Sequence, residues 1–151
     1  MQASFILKEA ESRQQYNLLG HPTLLKVSGK DTQGQLSLFS GTYYKNQGPP
    51  LHLHPVDEIF YILEGEFIFQ VGDTRITAVT GDTVFVPRNM PHTYLTISAT
   101  ARMLFMVTPT GQIEKLFEKL SSFKEMPTLE ELTILHETHG LTVLGLPITQ
   151  G

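Results

Sequence analysis

The chain has 151 residues, 40% of them hydrophobic and 17% charged, with a net charge of -4. That composition suits one domain with a buried core and is unlike that of a disordered chain. The acidic balance and the lack of a basic block exclude charge-driven capture of nucleic acid or an anionic membrane, and the absence of cysteine excludes disulfides and thiolate metal sites.

The start, MQASFILKEAESRQQ, has no basic region followed by a long apolar run, so no signal peptide is expected. No stretch reaches the ~18 apolar residues a membrane helix needs. A soluble cytoplasmic protein is therefore expected. From Gln35 to about Thr108, short apolar runs are punctuated by turn residues. LSLFSGTYY (36–44) predicts a strand and NQGPP (46–50) a loop. EIFYILEGEFIFQVG (58–72) predicts a hairpin turning near Glu64-Gly65. TRITAVTGDTVFVP (74–87) predicts two strands around Gly81-Asp82, and HTYLTIS (92–98) and ARMLFMVTP (101–109) predict two more. β-Branched and aromatic residues, with turns every 8–12 residues or so, are the pattern of a sandwich or barrel. IFYIL and RMLFMV are apolar on both faces, so a second layer or another subunit is expected to cover the sheet.

The tail changes period. Ile113, Leu116, Phe117 and Leu120 fall on one face of a helix, simplest as packing against the barrel. Thr128-Leu129-Glu130-Glu131 fits a capping box for a second helix that should end at Gly140, after His139. LTVLGLPI then reads as an extended ending.

The chemistry concentrates in PPLHLHPVDEIF, residues 49–60. In a strand, His52 and His54 project to one face and can reach one ion. Glu58 would lie roughly 13 Å beyond His54 in a straight strand, too far to share it. Pro55 cannot donate to a ladder, so a turn at 55–57 would fold Glu58 back beside the pair. Asp57 competes with Glu58 for that role and reads better as a turn residue. GDTVFVPRNMPHTYL (81–95) repeats the device, with a strand, a proline-marked turn and then His92.

These two segments resemble the motifs of the cupin superfamily. His52, His54, Glu58 and Gly65 match the first motif, and Gly81, Pro87 and His92 match the second. The resemblance implies a mainly β fold, a double-stranded β-helix (jelly-roll barrel) with C-terminal helices. It implies a single domain over 1–151, with the barrel at about 35–109 and a helical tail at about 111–140. It also implies one divalent transition metal held by His52, His54, Glu58 and His92. The chain departs from the family pattern at Asn46 and Asn89, where glycine is common, and at Thr96, where asparagine is usual. Asparagine tolerates positive φ, so both turns stay feasible. The tail is similar to that of small cupins of the quercetin 2,3-dioxygenase-like type.

Three imidazoles and a carboxylate suit Fe, Mn, Ni, Co, Cu or Zn, and leave up to two positions open on a six-coordinate ion. The resemblance implies a dioxygenase acting on a small aromatic or enediol (flavonol-like) substrate, with Glu58 as the catalytic base. The alternatives are a metal-dependent isomerase or epimerase, for which Arg88 and Arg102 are the nearby cations, and a non-catalytic small-ligand-binding cupin. A homodimer is expected. Phe60, Tyr94 and Phe105 are candidates for the substrate pocket, with core packing equally good. His136 and His139 read as a solvated helical face, and His21 as a loop residue.

Overall fold

The computed structural model describes residues 3–8 and 14–150; residues 1, 2, 9–13 and 151 lie outside that description. Strands β1 (Gln14–Leu18), β2 (His21–Val27), β3 (Ser37–Tyr44), β10 (Thr100–Thr108), β5 (Asp57–Glu64) and β8 (Thr83–Val86) form one antiparallel sheet in that order. Strands β11 (Thr142–Gly145), β4 (Leu51–Leu53), β9 (His92–Thr96), β6 (Glu66–Val71) and β7 (Thr74–Val79) form the other. The fold is the expected double-stranded β-helix, followed by helices α1 (Ile113–Ser121) and α2 (Leu129–Thr138).

Alternation sets the core. From β10, Ala101, Met103, Phe105 and Val107 point inward; from β5, Glu58, Phe60 and Ile62 do so; from β6, Phe67 and Phe69. The aromatic rings interlock: Phe39 stacks on Phe105 with centroids 4.9 Å apart, and Phe60 meets Phe69 edge-on at 5.1 Å. Helix α1 buries Ile113, Leu116, Phe117 and Leu120 against this core, as their spacing predicts. Glu114 fixes it there, accepting hydrogen bonds from Ser28 Oγ (2.9 Å), Gly29 N (2.7 Å) and Ser37 Oγ (2.5 Å). Helix α2 has the predicted cap, with Thr128 Oγ1 accepting from Glu131 N at 3.1 Å.

Two features differ from the sequence reading. The segment 58–72 is not a hairpin, because β5 and β6 belong to different sheets. Gly65, at φ 86°, is the corner between them. A Cβ there would meet Ser98 Oγ at 2.6 Å and Thr100 O at 2.7 Å. A turn-like Glu-Gly pair signals a change of direction without saying which strand is joined next. The second feature is the N-terminal hairpin. Strands β1 and β2 turn at Leu19-Gly20, both at positive φ, and extend the first sheet through β3. Leucine is an uncommon residue at φ 57°, so the sequence carried no ordinary turn signal there.

Candidate metal centre

Strand β4 ends at Leu53, the chain bends through 54–56, and β5 begins at Asp57 in the opposite sheet. Pro55 supplies that break. The bend carries Glu58 back, so its Oε1 lies 3.0 Å from His54 Nε2. The turn at 87–90 docks on this bend through Asn89 N donating to His54 O at 2.8 Å. Asn46 and Asn89 stand at φ 71° and 64°, so both take the glycine-like conformation their turns need. His92 then opens β9 directly opposite His52 on β4. A Cβ on Gly48 would overlap the Tyr94 carbonyl oxygen, which explains glycine in the loop that brackets β9.

The three rings converge. His52 and His92 centroids are 4.3 Å apart, His54 and His92 4.8 Å, and His52 and His54 5.5 Å. One ring nitrogen from each lies within 4.8 Å of the others, and all three residues are buried. Each Nδ1 faces a backbone carbonyl, which only accepts: His52 donates to Pro50 O (2.7 Å), His54 to Val56 O (3.0 Å) and His92 to Met90 O (2.9 Å). This fixes the Nδ1–H tautomer in the neutral ring and leaves the Nε2 lone pair free to take an ion, the arrangement that metal-binding histidines use.

The donor set fits a cation. His92 Nε2 is buried with no hydrogen-bond partner, although Glu58 Oε1 is only 3.3 Å away. An orphaned imidazole nitrogen beside a buried carboxylate is costly unless a positive charge sits between them. Burial pushes the His52 pKa down to about 3, with the neighbouring His92 adding to the effect. Burial also opposes charge on His54 and Glu58. With no cation between them, a protonated His54 donates Nε2–H to Glu58, and that bond and attraction outweigh burial, raising His54 and, together with His92, holding Glu58 at about 2; a metal ion would take the place of that proton. Asp57 points away from this centre to Arg88, whose Nη2 is 3.1 Å from its Oδ2.

The centre opens into a cavity of about 410 Å³, a size suited to a small organic ligand. Phe60, Tyr94 and Phe105 line it while also packing on one another, so the pocket and core readings both hold. No Lys or Arg lines it among the described residues. Arg88 is spent on Asp57, and Arg102 lies on the outer face, 3.9 Å from Glu64. Two histidines read as bland in the sequence also line the cavity. His21 opens β2 and packs tilted against Tyr43 with ring centroids 4.4 Å apart, where burial pushes its pKa down to about 4. His136 is buried on α2 rather than solvated. Neither carries a local motif, because each reaches the cavity through tertiary packing of the N-terminal hairpin and the tail.

Comparisons place this geometry. Residues 41–108 match the Cupin domain family. Among solved structures, the polyketide cyclase RemF from Streptomyces resistomycificus is 18% identical, with a TM-score of 0.61 over 70% of this chain and 80% of that one. KdgF from Halomonas sp. is 14% identical, with a TM-score of 0.63 over 71% and 94%. An RmlC-like cupin from Shewanella frigidimarina is 20% identical, with a TM-score of 0.61 over 72% and 95%. Likeness at these identities is one of fold. No curated protein sequence matches the chain. No helix among the described residues is long and apolar enough to cross a membrane. Residues 41–108 thus match a cupin domain, and the two-sheet barrel with the three-histidine cluster at its inner wall has the same fold as these solved structures.

Proposed function

We propose that the protein is a cytoplasmic, single-domain, metal-dependent dioxygenase of the quercetin 2,3-dioxygenase-like type, acting on a small aromatic or enediol substrate. The observation that carries this reading is the set of three His Nε2 atoms beside Glu58, opening into a largely apolar cavity with no Lys or Arg in its wall among the described residues. His52, His54, His92 and Glu58 are the proposed ligands. A redox-active divalent ion held there would supply activation of an enol or catechol oxygen together with dioxygen.

The chain's own residues do the rest. The carbonyls of Pro50, Val56 and Met90 hold the imidazoles in one tautomer. Glu58 Oε1, buried and ionised, is the proposed acceptor for the substrate hydroxyl proton. Phe60, Phe105 and Phe117 offer flat apolar surface to a ring and exclude water. The isomerase reading has less support, since no Lys or Arg lines the cavity among the described residues to meet an anionic group.

The proposed assembly is a homodimer. The outward face of the first sheet carries Leu38, Met106, Ile59 and Phe85 in cross-strand register, with Tyr61 opposite Leu104. The test of function is elemental analysis followed by oxygen uptake with a flavonol. Near one equivalent of metal, and uptake lost in His52→Ala and Glu58→Gln, is the expected result. A metal-loaded protein that consumes no oxygen with flavonols or other enediols would overturn the dioxygenase reading.

A further inference from the structure

Five of the chain's six histidines line one cavity, and only three of them form the cluster at the metal centre. His136 is the most informative of the others. Its side chain is buried, with 7% of the residue exposed. Its Nδ1 donates to Leu132 O, one turn back along α2, at 2.7 Å. The carbonyl can only accept, so the proton is on Nδ1 and the neutral ring keeps a bare acceptor at Nε2. That atom has no hydrogen-bond partner among the described residues, although the ring lies in the cavity wall. His92 Nε2 is the sealed, unpartnered side-chain nitrogen among the described residues, so Nε2 of His136 is instead an acceptor that a molecule in the cavity can reach.

The ring is also held neutral. Burial lowers its pKa and outweighs the hydrogen bond to Leu132 O, which raises it, and the neighbouring His139 acts in the lowering direction. A neutral acceptor does not attract an anion. It selects a donor, an O–H or N–H, on an uncharged molecule. The surroundings agree, since Leu132, Leu129 and Leu141 beside it are apolar.

We propose that His136 Nε2 is a ligand-recognition point that accepts a hydrogen bond from a hydroxyl on a neutral aromatic molecule in the cavity. This assignment rests on the reading that the cavity holds the substrate, and it narrows that substrate to a ring bearing a hydroxyl besides any group directed at the metal centre. A site built to hydrogen-bond a hydroxyl discriminates well against an analogue lacking it, because the buried partner is then left unpaired.

The test uses the full-length, zinc-loaded protein and two small probes, phenol and its methyl ether anisole. Both are neutral aromatics, and only phenol donates. Phenol is expected to bind about five- to tenfold more tightly, the worth of one ordinary hydrogen bond. It should shift the ¹⁵N resonance of His136 Nε2, whereas anisole should not. In His136→Phe the preference should vanish with anisole affinity kept, and His136→Gln, which retains an acceptor, should restore part of it. Equal affinity for the two probes in the parent, or a His136 resonance that phenol does not move, overturns the proposal without any variant having to fold. Binding of 3-hydroxyflavone, measured in parallel, reads the metal end alone. Its failure with phenol preference intact would count against the dioxygenase reading and leave His136 in place.

Discussion

Nε2 of His92 lies 3.3 Å from Oε1 of Glu58, both residues are buried, and yet the imidazole nitrogen makes no hydrogen bond. With the Nδ1 proton committed to Met90 O, two electron-rich atoms face each other. A cation between them removes that conflict. Adding Mn, Ni or Zn at 100 times its Kd is therefore expected to stabilise the protein by about 2.7 kcal/mol. For a domain of this size that is roughly 5–10 °C in Tm. His92→Ala should lose the shift. A scanning calorimetry trace in which His92→Ala gains as much as the parent would remove His92 from the ligand set.

Asp57 was the rival to Glu58, and the structure gives it other work. Its carboxylate accepts from Arg88 Nε (3.2 Å), Arg88 Nη2 (3.1 Å) and the Arg88 backbone N (2.7 Å). The guanidinium and amide hold the Asp57 pKa below its ordinary value. The pair clamps the bend before Glu58 to the turn before His92. The pair is solvent-exposed, so its charge alone adds little to stability. Loss of the clamp lets the proposed ligands Glu58 and His92 drift, so Asp57→Ala should weaken metal binding by ~10-fold, the scale of an outer-shell contact. Isothermal titration with Mn or Zn checks this. An unchanged affinity would mean that backbone contacts such as Asn89 N to His54 O suffice.

The centre was legible because its signals are local. Two histidines two apart, a proline break and a second proline break before His92 sit within short windows whose geometry follows from strand alternation. Asn46 and Asn89 were readable for the same reason, as residues that accept positive φ. What the sequence hid was tertiary. Gly65 marks a turn in either case, and only sheet membership decides between a hairpin and a corner. His136 looked solvated because α2 is weakly amphipathic, and its burial comes from β11 and the cavity rim. Leu19 at positive φ gave no turn signal, so the hairpin that delivers His21 went unseen.

Acid should weaken the fold through those hidden histidines. In the unfolded chain histidine titrates near 6.5, while folded His21 is pushed to about 4 and His136 is also lowered. The unfolded state then binds more protons between these values. Stability is fully present above about pH 6.5 and is lost as pH falls toward 4. His21 alone should contribute on the order of 2 kcal/mol once solvent screening at a partly exposed ring is allowed for. Urea unfolding of the metal-free protein at pH 7, 5.5 and 4.5 measures the slope. His21→Phe, which keeps the packing against Tyr43, should flatten it; an identical slope would assign the acid sensitivity to the other histidines.

The outer face of the first sheet makes the final prediction. Tyr61 is 43% exposed and Phe85 56%, beside the half-buried Ile59, Leu104 and Met106. Their register makes one continuous apolar surface, and such patches mark interaction sites. In a two-fold dimer the same patch meets itself, so any substitution acts twice. Tyr61→Glu would bury two unpaired carboxylates and should weaken dimerisation by at least ~100-fold. Sedimentation across a concentration series should show a dimer for the parent and a monomer for the variant. Ile134→Glu is the control, since Ile134 is equally apolar and 58% exposed but stands on α2. If it dissociates the protein and Tyr61→Glu does not, the interface lies on the helical tail. A parent that sediments as a monomer at every concentration would leave the apolar face without a partner of its own kind.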